Sequence, residues 1–279
     1  MDTREDSYAF CGMIFAHMPF LTKLIANRNL LKNLVLRDLK HRYVGSVGGF
    51  IWSVVHPLVS LVSYTFVFTV VFPQKLGPEH GTASFPVFLF CGILPWILFS
   101  DTIMRCCSVI VDNSTLITKT IMPAEILPIA ITISNLVHHA IGLGILLTVL
   151  LLTQTVHVSA LGIFLYLPIL ILLAQGLGWI VAGLQVFLRD TLQALQILMF
   201  LWFYFTPILY TLDRLPPQLS LLGVVNPMAL IVTGYRNSLL DVAQPGALEI
   251  TIVFAVSMAV FVIGGLIFRQ AKPGFADVL

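Results

Sequence analysis

The sequence predicts an all-α polytopic membrane protein. It has six transmembrane helices, an N-terminal amphipathic interface helix, and re-entrant outer helices between spans five and six. Three observations carry that expectation. The 279 residues are 58% hydrophobic and only 10% charged, with a mean hydropathy of +0.97, whereas a soluble domain holds about 25% charged residues. The apolar residues gather into runs long enough to cross about 30 Å of hydrocarbon as helices; the runs are too long and too continuously apolar for barrel strands. The basic residues are lopsided. With six spans and both ends inside, Arg4, Lys23, Arg28, Lys32, Arg37, Lys40, Arg42, Arg105, Lys119, Arg189, Arg269 and Lys272 fall on the cytoplasmic side, 12 of the 15. Lys75, Arg214 and Arg236 fall outside, as the positive-inside rule requires.

Residues 1–27 read as a cytoplasmic tail. Asp2, Glu5 and Asp6 outweigh Arg4, so the basic start of a signal peptide is missing, and His17 and Pro19 break the apolar run from Tyr8 to Leu21. Residues 28–270 form one transmembrane domain, and 271–279 a cytoplasmic C-terminal tail. The domain opens with the interface helix, 28–43. On a helical wheel Leu30, Leu31, Leu34, Val35 and Leu39 share one side, with Lys32, Asn33, Arg37 and Lys40 opposite. Leu36 is the exception on the polar side, and Asp38, His41 and Arg42 fall on the apolar arc. Such a helix lies in the interface plane, and Gly45, Gly48 and Gly49 permit a bend into span one. The spans follow at about 48–72, 85–105, 126–153, 159–188, 192–211 and 248–268. Pro57, Pro95, Pro168 and Pro207 are expected to kink or interrupt their helices. The stretch 220–240 is apolar but interrupted. Asn226-Pro227 breaks it, Gly234 loosens it, and Arg236 and Asn237 place polar groups inside it. Two short helices dipping into one face fit better than a seventh span, which would also carry Arg269 and Lys272 outside.

Several function classes fall away. No Gly-Lys pair occurs, so there is no P-loop, and any ATP must be hydrolysed by another chain. Cys11, Cys91, Cys106 and Cys107 lack metal-ligand spacing. Ionisable residues inside the spans are few. Asp101 and Arg105 are spaced to pair along one helix, and Arg189-Asp190 falls in the short inner turn between spans four and five. His138 and His139 lie mid-span, pointing about 100° apart; a buried, hydrogen-bonded histidine is expected there rather than a proton relay. The midplane charges of a secondary transporter are missing, as is the carboxylate or metal site of a membrane transferase.

Three segments can carry function, each with a plainer alternative. Arg37, Lys40 and Arg42 either anchor the interface helix or form an entrance for an anionic headgroup such as a pyrophosphate. In the inner loop 106–125, Leu116, Ile117, Ile121 and Met122 make one short helical face. Asp112 or Asn113 is placed to cap it and Pro123 to end it. That segment is either a docking helix or an ordinary interfacial loop. The cluster FLWFYFTPILY, 200–210, holds Phe200, Trp202, Phe203, Tyr204, Phe205 and Tyr210. It is either an aromatic belt or a pore lining. Its rings cover more than one helix face, so some should point inward, where flat apolar rings suit sliding contact with sugars.

The order of stretches LVLRDLKHRYVGSVGGFIWSVVHPL (34–58), FPVFLFCGILPWILFSDTI (85–103), NSTLITKTIMPAEILPI (113–129), VFLRD (186–190), FYFTPILY (203–210) and NPMALIVTGYRNSLL (226–240) resembles the permease subunit of type-2 ABC exporters of the polysaccharide, O-antigen and teichoic-acid export family. The resemblance implies a homodimer in the bacterial inner membrane, with both termini cytoplasmic. It implies two copies of a separate ATP-binding subunit that hold the ATP and Mg, leaving no cofactor and no catalytic residue on this chain. It implies a coupling segment around 113–124, with Asn113, Leu116, Ile117, Lys119, Met122 and Glu125 facing the ATPase. It implies an outer gate with Asn226, Pro227, Tyr235 and Arg236. The cargo implied is an undecaprenyl-pyrophosphate-linked polysaccharide, with membrane lipids as the other contact and no nucleic acid. The alternatives are a teichoic-acid or capsule permease, a type-2 drug or lipid exporter, and, furthest off, a membrane glycosyltransferase.

Overall fold

Backbone amides in hydrocarbon must bond within their own segment or within a closed barrel. The computed structural model meets that demand with helices alone among the described residues, which are 25–43, 51–71, 85–119, 122–153, 155, 157–211, 223 and 225–279. The tail over 1–24, the glycine bend at 45–49 and the segment 220–222 lie outside them, as do the side chains of Pro57 and Lys119.

In chain order the helices are α1 (Arg28–Tyr43), α2 (Ile51–Phe66, continuing as a π-helix over Val67–Val71), α3 (Phe85–Asp112), α4 (Ser114–Lys119) and α5 (Ile126–Leu152). A 3-10 turn (Val158–Gly162) leads into α6 (Ile163–Phe187), followed by α7 (Thr191–Phe205), α8 (Pro227–Leu240), α9 (Ala247–Ala271) and α10 (Phe275–Val278). Among the described residues, four stretches are long and apolar enough to cross a membrane: Phe85–Asp112, Ile126–Leu152, Val158–Phe187 and Ala247–Val278. Leu61–Val71 and Thr191–Phe205 are shorter apolar helices. The expected fifth span, 192–211, stops early. Thr206 precedes Pro207 and is extended at φ −97°, ψ 134°, the conformation a following proline imposes. Pro95 and Pro168, by contrast, sit inside continuous helices.

Helix α3 is the hub. In its most apolar window 78% of residues are buried, against 17% in α9. It packs on α5, α6 and α8, which an all-round apolar sequence allows. Helices α6 and α9 pack closest of all. A Cβ at Gly176 would sit 2.5 Å from the Val260 carbonyl oxygen and 2.7 Å from the Phe261 Cα, and a Cβ at Gly264 would strike the Gly176 backbone. Without a hydrophobic drive between helices in lipid, such small-residue contacts supply the van der Waals energy.

Helix α1 docks on the end of the bundle where α3 stops and α5 starts. Leu34 and Val35 are buried with Val109, Ile110, Leu127 and Ala130, Leu30, Leu31 and Leu39 are half-buried, and Leu36 is exposed. The wheel therefore holds, except that His41 is exposed. At the other end of α3, α8 begins where Asn226-Pro227 was read as a break. The Asn226 Oδ1 accepts from the Met228 amide at 3.0 Å, with Pro227 at the first helical position. Asp241 closes the helix at φ 54°. Gly234 does not loosen α8. The helix runs straight through it, and glycine is needed because the Tyr166 ring occupies the space a Cβ would take, with its hydroxyl oxygen 2.6 Å from that point.

Candidate functional site

The polar residues that the wheel placed on the apolar arc of α1 meet partners there. Asp38 uses both carboxylate oxygens: Oδ1 accepts from the Arg105 guanidinium of α3, and Oδ2 accepts from the Ser134 hydroxyl of α5. Arg42 lies one turn on, its Nε 3.9 Å from Asp38. The Asn135 Oδ1 accepts from both Arg42 and Arg105, the latter at 2.8 Å, and its Nδ2 donates to Thr102 at 3.1 Å. Three helices thus share one network of charge-assisted bonds. Asp38, Arg42 and Arg105 remain 18%, 22% and 29% exposed, so the network is open along one edge.

The three predicted entrance residues part company here. Arg37 and Lys40 are exposed, and with Asn33, Leu36 and His41 they line an open cleft of about 540 Å³. Arg42 turns inward to Asn135. Arg37 also donates to the Asn113 Oδ1 at 2.7 Å, which joins α1 to the turn before α4.

The predicted docking segment, 106–125, is not one helix: α3 runs on to Asp112, α4 covers only Ser114–Lys119, Ile121 lies outside the described residues, and Met122 falls beyond the helix rather than on its face. The Asn113 carbonyl accepts from the amides of Leu116 and Ile117 at 2.9 and 3.2 Å. Its side chain bonds back to the Val109 carbonyl at 2.9 Å and receives Arg37, so it braces the turn. Ile117 and Met122 are partly buried against the cluster that includes Leu34, Val109 and Phe275. Glu125 pairs with Lys272 at 3.0 Å, and its carbonyl accepts from the Trp179 indole at 3.4 Å. The segment is therefore fixed to α1, to α6 and to the C-terminal end of the chain.

The rings of the aromatic cluster lie on more than one side of α7. Trp202 and Phe203 turn inward, edge-on to Phe99 at 5.1 Å and Trp96 at 5.6 Å. Phe200, Tyr204 and Phe205 are more than half exposed on this chain, while the Tyr210 hydroxyl donates to the Tyr204 carbonyl at 2.9 Å. The Trp202 indole donates to the Asn226 Oδ1 at 2.9 Å, so α7 and the start of α8 are one unit.

Arg236, in α8, is buried to 4% exposure. Its guanidinium donates to the carbonyls of Pro207 and Ile208 at 3.0 and 2.9 Å and lies 3.7 Å from the centre of the Phe88 ring. A side chain at Gly92 would collide with it. No carboxylate among the described residues pairs with it. Tyr235 beside it is fully buried, its hydroxyl 2.8 Å from the His139 Nε2; His139 is thus the hydrogen-bonded core histidine expected.

Asp38 enters the sequence reading only as an exception on the wheel of α1, and Ser134 and Asn135 not at all. One signal was available: within the apolar span, Asn135 and His139 are polar and one helical turn apart, the spacing of one shared face.

Helices long and apolar enough to cross a membrane, with a charged helix seated on one end of the bundle, define an integral membrane protein. The chain belongs to the ABC-2 type transporter family, whose model matches residues 29–240. It is 32% identical over 260 residues to the O-antigen export system permease protein RfbA of Myxococcus xanthus, covering 91% of this chain and 97% of that protein. A permease of the same name from Klebsiella pneumoniae is 28% identical, covering 90% and 95%. The polysialic acid transport protein KpsM of Escherichia coli is 23% identical, covering 74% of this chain and 80% of that protein.

Proposed function

We propose that this chain is the channel-forming subunit of an ATP-driven exporter that moves undecaprenyl-pyrophosphate-linked polysaccharide of the O-antigen type across the bacterial inner membrane. The observation that carries the reading is the end-to-end similarity to O-antigen permeases, 97% of the Myxococcus protein being matched. In this reading the chain crosses six times, α2 and α7 with its bent continuation being the shorter crossings. Both termini and α1 face the cytoplasm, and two copies enclose the channel between them. Two ATP-binding subunits, carrying ATP and Mg, seat on α4. Arg37 and Lys40 draw the pyrophosphate to the cleft beside α1. The exposed rings of α7 offer the polymer tolerant stacking contacts, and α8 is the second half of a re-entrant pair at the exit. A capsule polymer is the second reading, supported by the match to KpsM.

The test is deletion of the gene in its own host with complementation. Surface O-polysaccharide should vanish while lipid-linked polymer accumulates inside, and the intact gene should restore it. Loss of capsule with O-polysaccharide unchanged would move the assignment to the second reading, and no change in either polymer would end both.

A further inference from the structure

Helix α5 carries two almost fully buried polar side chains one turn apart, Asn135 and His139, 3% and 4% exposed. They are about 6 Å apart along the axis, and no glycine or proline separates them. Each ties α5 to a different end of the molecule. Asn135 accepts from Arg42 and Arg105, so it belongs to the Asp38 network that holds α1. His139 bonds the Tyr235 hydroxyl at 2.8 Å, with the rings edge to face at 5.8 Å. Tyr235 neighbours Arg236, which grips the carbonyls of the α7 bend. A stiff helical turn therefore connects the network at the α1 end to the helix at the far end.

We propose that His139 is a positioning residue, coupling the state of the Asp38 network to helix α8 through its bond to Tyr235. The inference rests on the export reading only in calling one end the entrance and the other the exit. Physically, the network at Asn135 fixes the rotation and height of α5. A bond made one turn away on the same face follows any change in either. An apolar contact at Tyr235 would tolerate such a shift, whereas a 2.8 Å hydrogen bond between two buried groups does not.

The chain, purified with its native lipids into nanodiscs, is followed by amide hydrogen exchange resolved to peptides. Asp38→Asn weakens the network, and exchange in α1 should rise. Exchange over residues 231–240 of α8 should rise as well, by about fivefold. In a Tyr235→Phe background, which removes only the hydroxyl, Asp38→Asn should still loosen α1 but leave α8 unchanged relative to Tyr235→Phe alone. Should Asp38→Asn not assemble, Ser134→Ala removes one of the two cross-helix bonds to the same carboxylate and is read in the same way. An α8 that ignores the weakened network overturns the proposal, and so does an α8 response that persists undiminished without the Tyr235 hydroxyl. The readout involves no transport, so the export reading and this inference fail separately.

Discussion

The two ends of α3 hold guanidinium groups in opposite ways. At the α1 end Arg105 and Arg42 meet a carboxylate from α1 and an amide from α5, and both stay more than a fifth exposed. At the α8 end, about 20 Å away along the axis from Arg105 to Gly92, Arg236 meets two carbonyls and a ring and is closed off from solvent. The first arrangement depends on charge attraction between separate elements, so small movements or ions can loosen it. The second depends on close fit around one side chain, so it is strong but not adjustable. A transport subunit that must change shape at one end while keeping a braced helix at the other would be built in this way.

The largest effect that can break the comparison is expected at the braced end. Arg236→Ala leaves the carbonyls of Pro207 and Ile208 without their donor and opens a void against Phe88, at a cost of about 3 kcal/mol. Arg236→Lys should recover only part of it: an ammonium can replace the single guanidinium nitrogen that reaches both carbonyls, but it has no flat face to lie on the Phe88 ring. Thermal unfolding of the detergent-solubilised chain measures both. A variant as stable as the parent would mean the fit around Arg236 contributes nothing.

The Asp38 network should respond more weakly and differently. Its members are partly exposed, so Asp38→Asn should cost about 1–2 kcal/mol rather than the value of a fully buried pair. Raising salt should shrink the gap between parent and variant, while the gap for Arg236→Ala should stay constant. Equal salt sensitivity at both ends would erase the distinction between them.

How much of this was legible in the sequence follows from where each partner lies. The apolar side of α1 was readable because helix periodicity is local: Leu34 and Val35 are buried and Leu36 is out, as the wheel requires. The role of Asp38 was not, because its partners Arg105 and Ser134 come from two other helices, far along the chain. On a wheel it registers only as a fading pattern. Asn226-Pro227 was readable for the same local reason, being a helix start with its own cap. Gly234 was misread because the Tyr166 ring that excludes a side chain there belongs to α6. The end of α7 was set too late because Ile208 and Leu209 keep the sequence apolar after Thr206 and Pro207 have already ended the helix.

The smallest stability effect, and the finest division, is expected within α1 itself. Arg37 and Lys40 share the helix with Asp38 but face the open cleft. Arg37 has an exposed bond to Asn113, and exposed contacts of that kind contribute little. The double substitution Arg37→Ala, Lys40→Ala should therefore move unfolding by no more than about 0.5 kcal/mol. Those two charges are nevertheless the ones placed to draw an anionic headgroup in the export reading. Surface polysaccharide should fall in cells carrying the double variant, although the protein accumulates and melts as the parent does. Asp38→Asn should show the reverse order, a stability loss at least as clear as the export loss. If the Arg37, Lys40 variant melts early and exports in proportion to what survives, the outward charges of α1 belong with the inward ones, as anchors.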